Sequence, residues 1–202
     1  NLEGFYDQTI LIYSVGMVVG SLLLEPAVKL VGDTNRCFIL VKIISAALFV
    51  INYIMILSMG IEGSGASMQY GAVWFVFILS GVVLGMENVF SFALLPGMVD
   101  YSEYKTGMNK GGMVHSMCGL SLTLGSALGG FIFGILLENS GYVANAVQSA
   151  STQSMMLLLA FVVPAVLMVV SAVVQCFYGL TDSKLDKIMH EIAKEREEKD
   201  KE

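Results

Sequence analysis

YGAVWFVFILSGVVLGMENVFSFALL, residues 70–95, carries a single charged side chain, Glu87, in a run long enough to cross a bilayer. A helix rises about 1.5 Å per residue, so about 20 mainly apolar residues span the hydrocarbon layer. Working outward, four more such stretches lie near 8–31, 37–58, 113–137 and 155–179. The chain is 55% hydrophobic and only 14% charged, with a mean hydropathy of +0.73, too apolar for an ordinary water-soluble domain. The prediction is an all-α membrane protein with five transmembrane helices over 1–180, followed by a short amphipathic helix and charged tail over 181–202.

The cationic residues sort by side. Lys29, Arg36 and Lys42 lie in or beside the first connection, Lys105 and Lys110 lie between spans three and four, and the other six follow span five. Because Lys- and Arg-bearing segments stay in the cytoplasm, the start of the chain is expected outside and its end inside. An odd number of spans, an outside start, Asn1 in place of Met and no signal peptide together lead to the expectation that at least one preceding helix is missing. The net charge is −6, and no basic patch for nucleic acid exists.

Glycines recur at helical spacing as Gly16/Gly20, Gly81/Gly85, Gly125/Gly129 and Gly130/Gly134, the pattern of closely packed membrane helices. Span four, with Gly119 added, is expected to line a moving interface, and Pro164 to kink span five. In the tail, Leu185, Ile188, Met189 and Ile192 share one helical face behind the capping residues Thr181, Asp182 and Ser183. The run from Lys194 onward is expected to be disordered.

No residues are assigned to catalysis, and no cofactor or bound metal is expected. His115 and His190 lie on different elements, and Cys37, Cys118 and Cys176 read as packing residues. Glu87 stands out, because an ionisable group at that depth either faces a hydrated cavity or bonds to another helix. Asn88 and Ser91 extend it on roughly one side. In span four, Ser116, Gly119, Thr123 and Ser126 form a small, polar stripe. Such a stripe either lines a sugar-sized cavity or satisfies its hydroxyls on its own backbone. Glu25 is expected to pair with Lys29 or Arg36, and Tyr70 and Trp74 to anchor span three at the interface. The connection over 96–113, PGMVDYSEYKTGMNKGGM, concentrates Asp100, Tyr101, Glu103, Tyr104 and Lys105, the makings of a gate loop held by ion pairs.

Within that connection, Val99-Asp100-Tyr101-Ser102-Glu103-Tyr104-Lys105 resembles the D-Y-G-E-Y-K segment of glycoside-pentoside-hexuronide:cation symporters, the melibiose permease family, with Ser102 in place of glycine. The resemblance continues in Gly125-Ser126-Ala127, Gly141-Tyr142-Val143, Asn145 and Gln148-Ser149. It also takes in Pro26, Lys29, Gly32 and Arg36 and, near the end, Phe177-Tyr178-Gly179-Leu180. It implies the twelve-helix major facilitator fold, of which these spans would be helices eight to twelve. It further implies sodium-, proton- or lithium-driven symport of a sugar, glycoside or uronide across a bacterial cytoplasmic membrane. The solute would lie between two rocking halves, and the co-transported cation mainly in the missing N-terminal half.

Two positions depart from the pattern. Thr123 stands where melibiose-type members commonly have a lysine, and Gly97 where an acidic residue precedes the Asp-Tyr pair. Glu87 is therefore a candidate to supply a charge that the lysine position lacks. Other readings are a transporter of the same fold for a lysolipid or nucleoside-like solute, and a non-transporting five-helix subunit.

Overall fold

The computed structural model describes residues 2–59, 67–144, 146 and 148–199. Helix α1 covers Leu2–Val31, α2 Thr34–Met59, α3 Ser67–Ala93, α4 Leu95–Thr106 and α5 Gly111–Asn139. Helix α6, Ala150–Leu157, runs through a π-helical turn at Leu158–Val162 into α7, Val163–Cys176, and α8 covers Asp182–Lys199. Among the described residues, five segments are long and apolar enough to cross a membrane: 10–31, 34–58, 73–106, 111–139 and 150–176.

Three expectations need adjusting. Residues 95–106 are helical rather than a loop. The bonds from Leu94 N–H to the Phe90 carbonyl and from Met98 N–H to the Leu94 carbonyl carry the chain on from α3 into α4. Pro96 is tolerated there because the first turn of a helix does not use its N–H. Gly107, at φ 67°, then ends α4 by donating to the Glu103 carbonyl. The irregularity expected at Pro164 takes the form of the π turn, in which Val163 N–H reaches back to the Leu158 carbonyl just ahead of the proline. The tail is helical as far as Lys199, because Ala, Glu, Lys and Arg are strong helix formers even where their charge prevents burial.

Helix α1 lies along α3, and α2 packs between α3 and the α7 span. At the α1–α3 seam the backbones nearly touch. A Cβ added at Gly20 would sit 1.8 Å from the Val82 carbonyl oxygen, and one at Gly85 would sit 2.1 Å from that of Met17. The core between α2 and α3 holds Cys37, Phe38, Val41, Leu48, Val83, Phe90 and Leu94. The Phe38 and Phe90 rings pack there with centroids 5.0 Å apart. Helix α5 differs from the rest: it has no buried residue, and it meets α4 and α6, its neighbours in sequence.

Candidate functional site

Lys42 enters the bundle less than three turns from the start of α2 and is only 7% exposed. Its Nζ donates to Glu87 Oε1 at 3.0 Å and lies 4.5 Å from the centre of the Phe38 ring, while Ser45 Oγ donates to Glu87 Oε2 at 3.4 Å. The two side chains of this pair are 9% and 15% exposed, so each charge is removed from solvent and compensated by the other. Lys42 is therefore a bundle residue rather than a flank of the first connection. Two turns deeper, Asn52 Nδ2 donates to Ser80 Oγ at 2.8 Å, and both residues are buried. The α2–α3 interface thus carries a short polar ladder inside apolar packing.

A second constellation closes the end of the bundle where α1 meets α2 and α7 meets α8. Asp33 Oδ1 accepts from Arg36 N–H at 3.0 Å, capping α2, and its Oδ2 accepts from Asp182 N–H at 3.2 Å. Asp182 reciprocates: its Oδ2 accepts from both the N–H and the hydroxyl of Thr34, each at 2.8 Å. Gln175 Nε2 adds a 2.7 Å bond to Asn35 Oδ1. Each carboxylate thus satisfies N–H groups at a helix start that no intrahelical bond can reach. Asp182→Ala is expected to cost about 1 kcal/mol and to raise hydrogen exchange at Thr34. Unchanged exchange there would show that the clamp holds nothing.

The site residues expected from sequence do not form one surface. Glu87 turns toward α2, whereas Asn88 faces a groove of about 310 Å³ between α1 and α3, lined also by Met17, Val18, Ser21, Val89 and Phe92. Ser91 Oγ bonds its own helix at the Glu87 carbonyl. On α5, Ser116 donates to the Gly112 carbonyl and Thr123 to the Gly119 carbonyl, and Ser116, Gly119 and Thr123 are all exposed. The hydroxyls of the stripe thus bond backbone, and its face is open. The five residues of the expected gate loop ride on α4. There Glu103 accepts from Asn109 Nδ2 at 2.9 Å, and Lys105 Nζ lies 5.9 Å over the Tyr101 ring. Glu25 pairs with Lys29 at 2.6 Å, as expected. The anchoring role read for Tyr70 and the resemblance at Asn145 lie outside the described side chains.

Lys42, Asp33, Asp182, Asn35 and Gln175 were not singled out as site residues. A signal for Lys42 existed: it is the one cation well inside an apolar stretch, and Glu87 is the lone acid in the next. No local signal joins Asp33 to Asp182, because their bond is purely tertiary.

Comparison with known proteins fits this architecture. A family described as "MFS/sugar transport protein" matches residues 6–182. The "Uncharacterized symporter YnaJ" of Bacillus subtilis (strain 168) is 32% identical over 51% of the chain and 22% of its own length. A "Putative sulfoquinovose importer" of Escherichia coli (strain K12) is 33% identical over 61% of the chain and 27% of its own length. The "Inner membrane symporter YicJ" of the same strain is 29% identical over 90% of the chain and 37% of its own length. The chain therefore spans between about a fifth and two fifths of these relatives. No solved structure gives a significant match. With a family match running from α1 to the start of α8, over all five apolar spans, the chain belongs to the MFS/sugar transport protein family and is multi-pass in the membrane.

Proposed function

We propose that this chain is the C-terminal part, helices eight to twelve, of a cation-coupled symporter for a sugar-like solute, working by alternating access in a bacterial cytoplasmic membrane. The observation that carries the reading is the family match over 6–182, reinforced by relatives whose names describe symporters and a sulfoquinovose importer. The solute passes between this bundle and the N-terminal half, along the open face of α5, where Ser116, Gly119 and Thr123 offer small polar surface. The coupling sodium ion or proton is held mainly by the other half. The end carrying the Asp33–Asp182 clamp, α4 and α8 is the cytoplasmic one, because Lys and Arg concentrate there.

In this reading Glu87 serves first to neutralise Lys42, and α4 supplies the moving contact through Asp100, Tyr101, Glu103, Tyr104 and Lys105. Fixed helices with a few charged residues at their ends suit rigid-body rocking about a central site.

The test is uptake of labelled sulfoquinovose, glycosides and uronides by cells expressing the full-length protein, with and without sodium and at two pH values. Concentrative, ion-dependent uptake is expected. A well-expressed protein that moves none of them sinks the sugar assignment and favours a solute of another class. Thr123→Val keeps the side-chain shape and removes the hydroxyl. It is expected to raise KM about tenfold through the loss of one hydrogen bond to solute. An unchanged KM would remove α5 from the solute path.

A further inference from the structure

At the end of the bundle where α7 stops, a cavity of about 480 Å³ opens between α4, the α7–α8 turn and α8. Its walls are Tyr101 and Tyr104 of α4, Tyr178 of the turn, and Lys184, Lys187 and Glu191 of α8, with backbone from Gly179 and Leu180. Leu185 of α8 packs against Gly97 of α4, where a Cβ would lie 2.9 Å from the leucine Cδ1, and this contact fixes the two helices that form the walls. Lys184 Nζ is already directed to the floor of the turn, donating to the Gly179 carbonyl at 2.8 Å. The Tyr178 hydroxyl is buried and has no hydrogen-bond partner among the described residues. Burial also pushes its phenol pKa up, so it remains a protonated donor. The hydroxyl is closed to the cavity, so Tyr178 forms part of the wall without presenting its oxygen, and it packs against the α2–α3 core.

The lining chemistry is specific. Two lysines and three tyrosines line a space big enough for a phosphodiester, and Glu191 adds an acceptor that opposes a bare anion but receives a bond from an alcohol. Phe177, next to Tyr178, is 84% exposed, and Met189 on α8 is 46% exposed, so apolar surface adjoins the polar walls. The cavity lies at the level where the 150–176 span ends. A ligand with a phosphate, hydroxyls beside it and an apolar body meets all of these features.

We propose that this cavity is a binding site for the headgroup of an anionic phospholipid of the phosphatidylglycerol type. Lys184 and Lys187 neutralise the phosphate, the Tyr101 hydroxyl donates to its oxygens, Glu191 accepts from the glycerol hydroxyls, and the acyl chains pass Phe177 into the bilayer. Basic pockets beside membrane helices recognise anionic headgroups in this way, each lysine contributing a separate electrostatic increment. The site stands apart from the solute path and does not depend on which solute is carried.

The experiment uses the full-length protein in phosphatidylcholine nanodiscs with graded phosphatidylglycerol. Phosphatidylglycerol retained per protein is read by native mass spectrometry, and thermal unfolding is followed in parallel. Phosphatidylglycerol is expected to be retained and to raise the unfolding temperature. Lys187→Gln is expected to reduce retention about fivefold, Lys184→Gln with Lys187→Gln by at least tenfold, and Lys187→Arg hardly at all. Tyr101→Phe, which keeps the ring and removes the donor, is expected to weaken retention without lowering stability in pure phosphatidylcholine. Equal retention by the parent and the double glutamine variant would overturn the proposal. So would a double variant destabilised equally with and without phosphatidylglycerol, which marks a purely structural role, or stabilisation by inorganic phosphate alone equal to that by the lipid.

Discussion

Lys42→Met in the full-length protein is expected to lower stability by about 3–5 kcal/mol, the usual cost of leaving one member of a buried ion pair uncompensated. The Glu87 side chain would keep its Ser45 bond but lose the cation 3.0 Å away, in a position where little water can replace it. Replacing both residues by methionine is expected to restore most of that loss, since no charge then remains to be solvated and the volume is roughly kept. Thermal unfolding in a fixed detergent, followed for parent, single and double variants, decides it. A single variant as stable as the parent would mean that the pair is solvated in the working protein. The same double variant separates structure from transport. If it is stable and still accumulates solute, the pair is scaffolding; if it is stable and inactive, the charges take part in the transport cycle.

Gly20→Val is expected to be as damaging by a different route, above about 3 kcal/mol, the upper part of the range for overpacked cores. The atom a Cβ would strike, 1.8 Å away, is a backbone carbonyl oxygen of α3, which has no rotamer to change. Relief requires α1 and α3 to separate along the seam, taking the Gly85 contact with Met17 with it. Gly85→Val is expected to behave alike. Gly129→Val meets no atom within 4 Å and is expected to leave this bundle intact. Surface yield and unfolding temperature of the three variants, measured together, check the pattern; equal values for Gly20→Val and Gly129→Val would refute the close seam.

These glycines also show how far the sequence is legible. Spacing alone marked Gly16/Gly20 and Gly81/Gly85, and they are the pairs that meet. The same spacing in α5 meets nothing among the described residues, because periodicity states which face is small and not what lies against it. The five spans were readable because hydrocarbon demands length and apolarity that few other segments have. Residues 95–106 were misread, because Pro96 and a cluster of charges look like a loop when the continuing bonds from Phe90 and Leu94 are out of view. Glu87 was recognised by its depth, whereas its partner was hidden among the loop cations, since a lysine near the start of an apolar stretch reads equally as a flank or as a bundle residue. The polar stripe on α5 was legible in the spacing of Ser116, Gly119 and Thr123, whereas the surface that lies against it was not, because periodicity carries no information about a partner.

The reciprocal capping of Asp33 and Asp182 bears on how such a protein is made. Thr34 and its partner Asp182 are separated by 148 positions, so during synthesis the Thr34 N–H and hydroxyl wait for their acceptor until all five spans have left the ribosome. Closing so long a chain segment adds little entropy cost beyond that of a shorter one, because the penalty grows only logarithmically with length. The contact therefore acts as a completion mark. A chain that stops short of α8 inserts its helices but leaves the backbone donor of Thr34 exposed, a difference that a membrane protease sampling frayed ends is placed to detect.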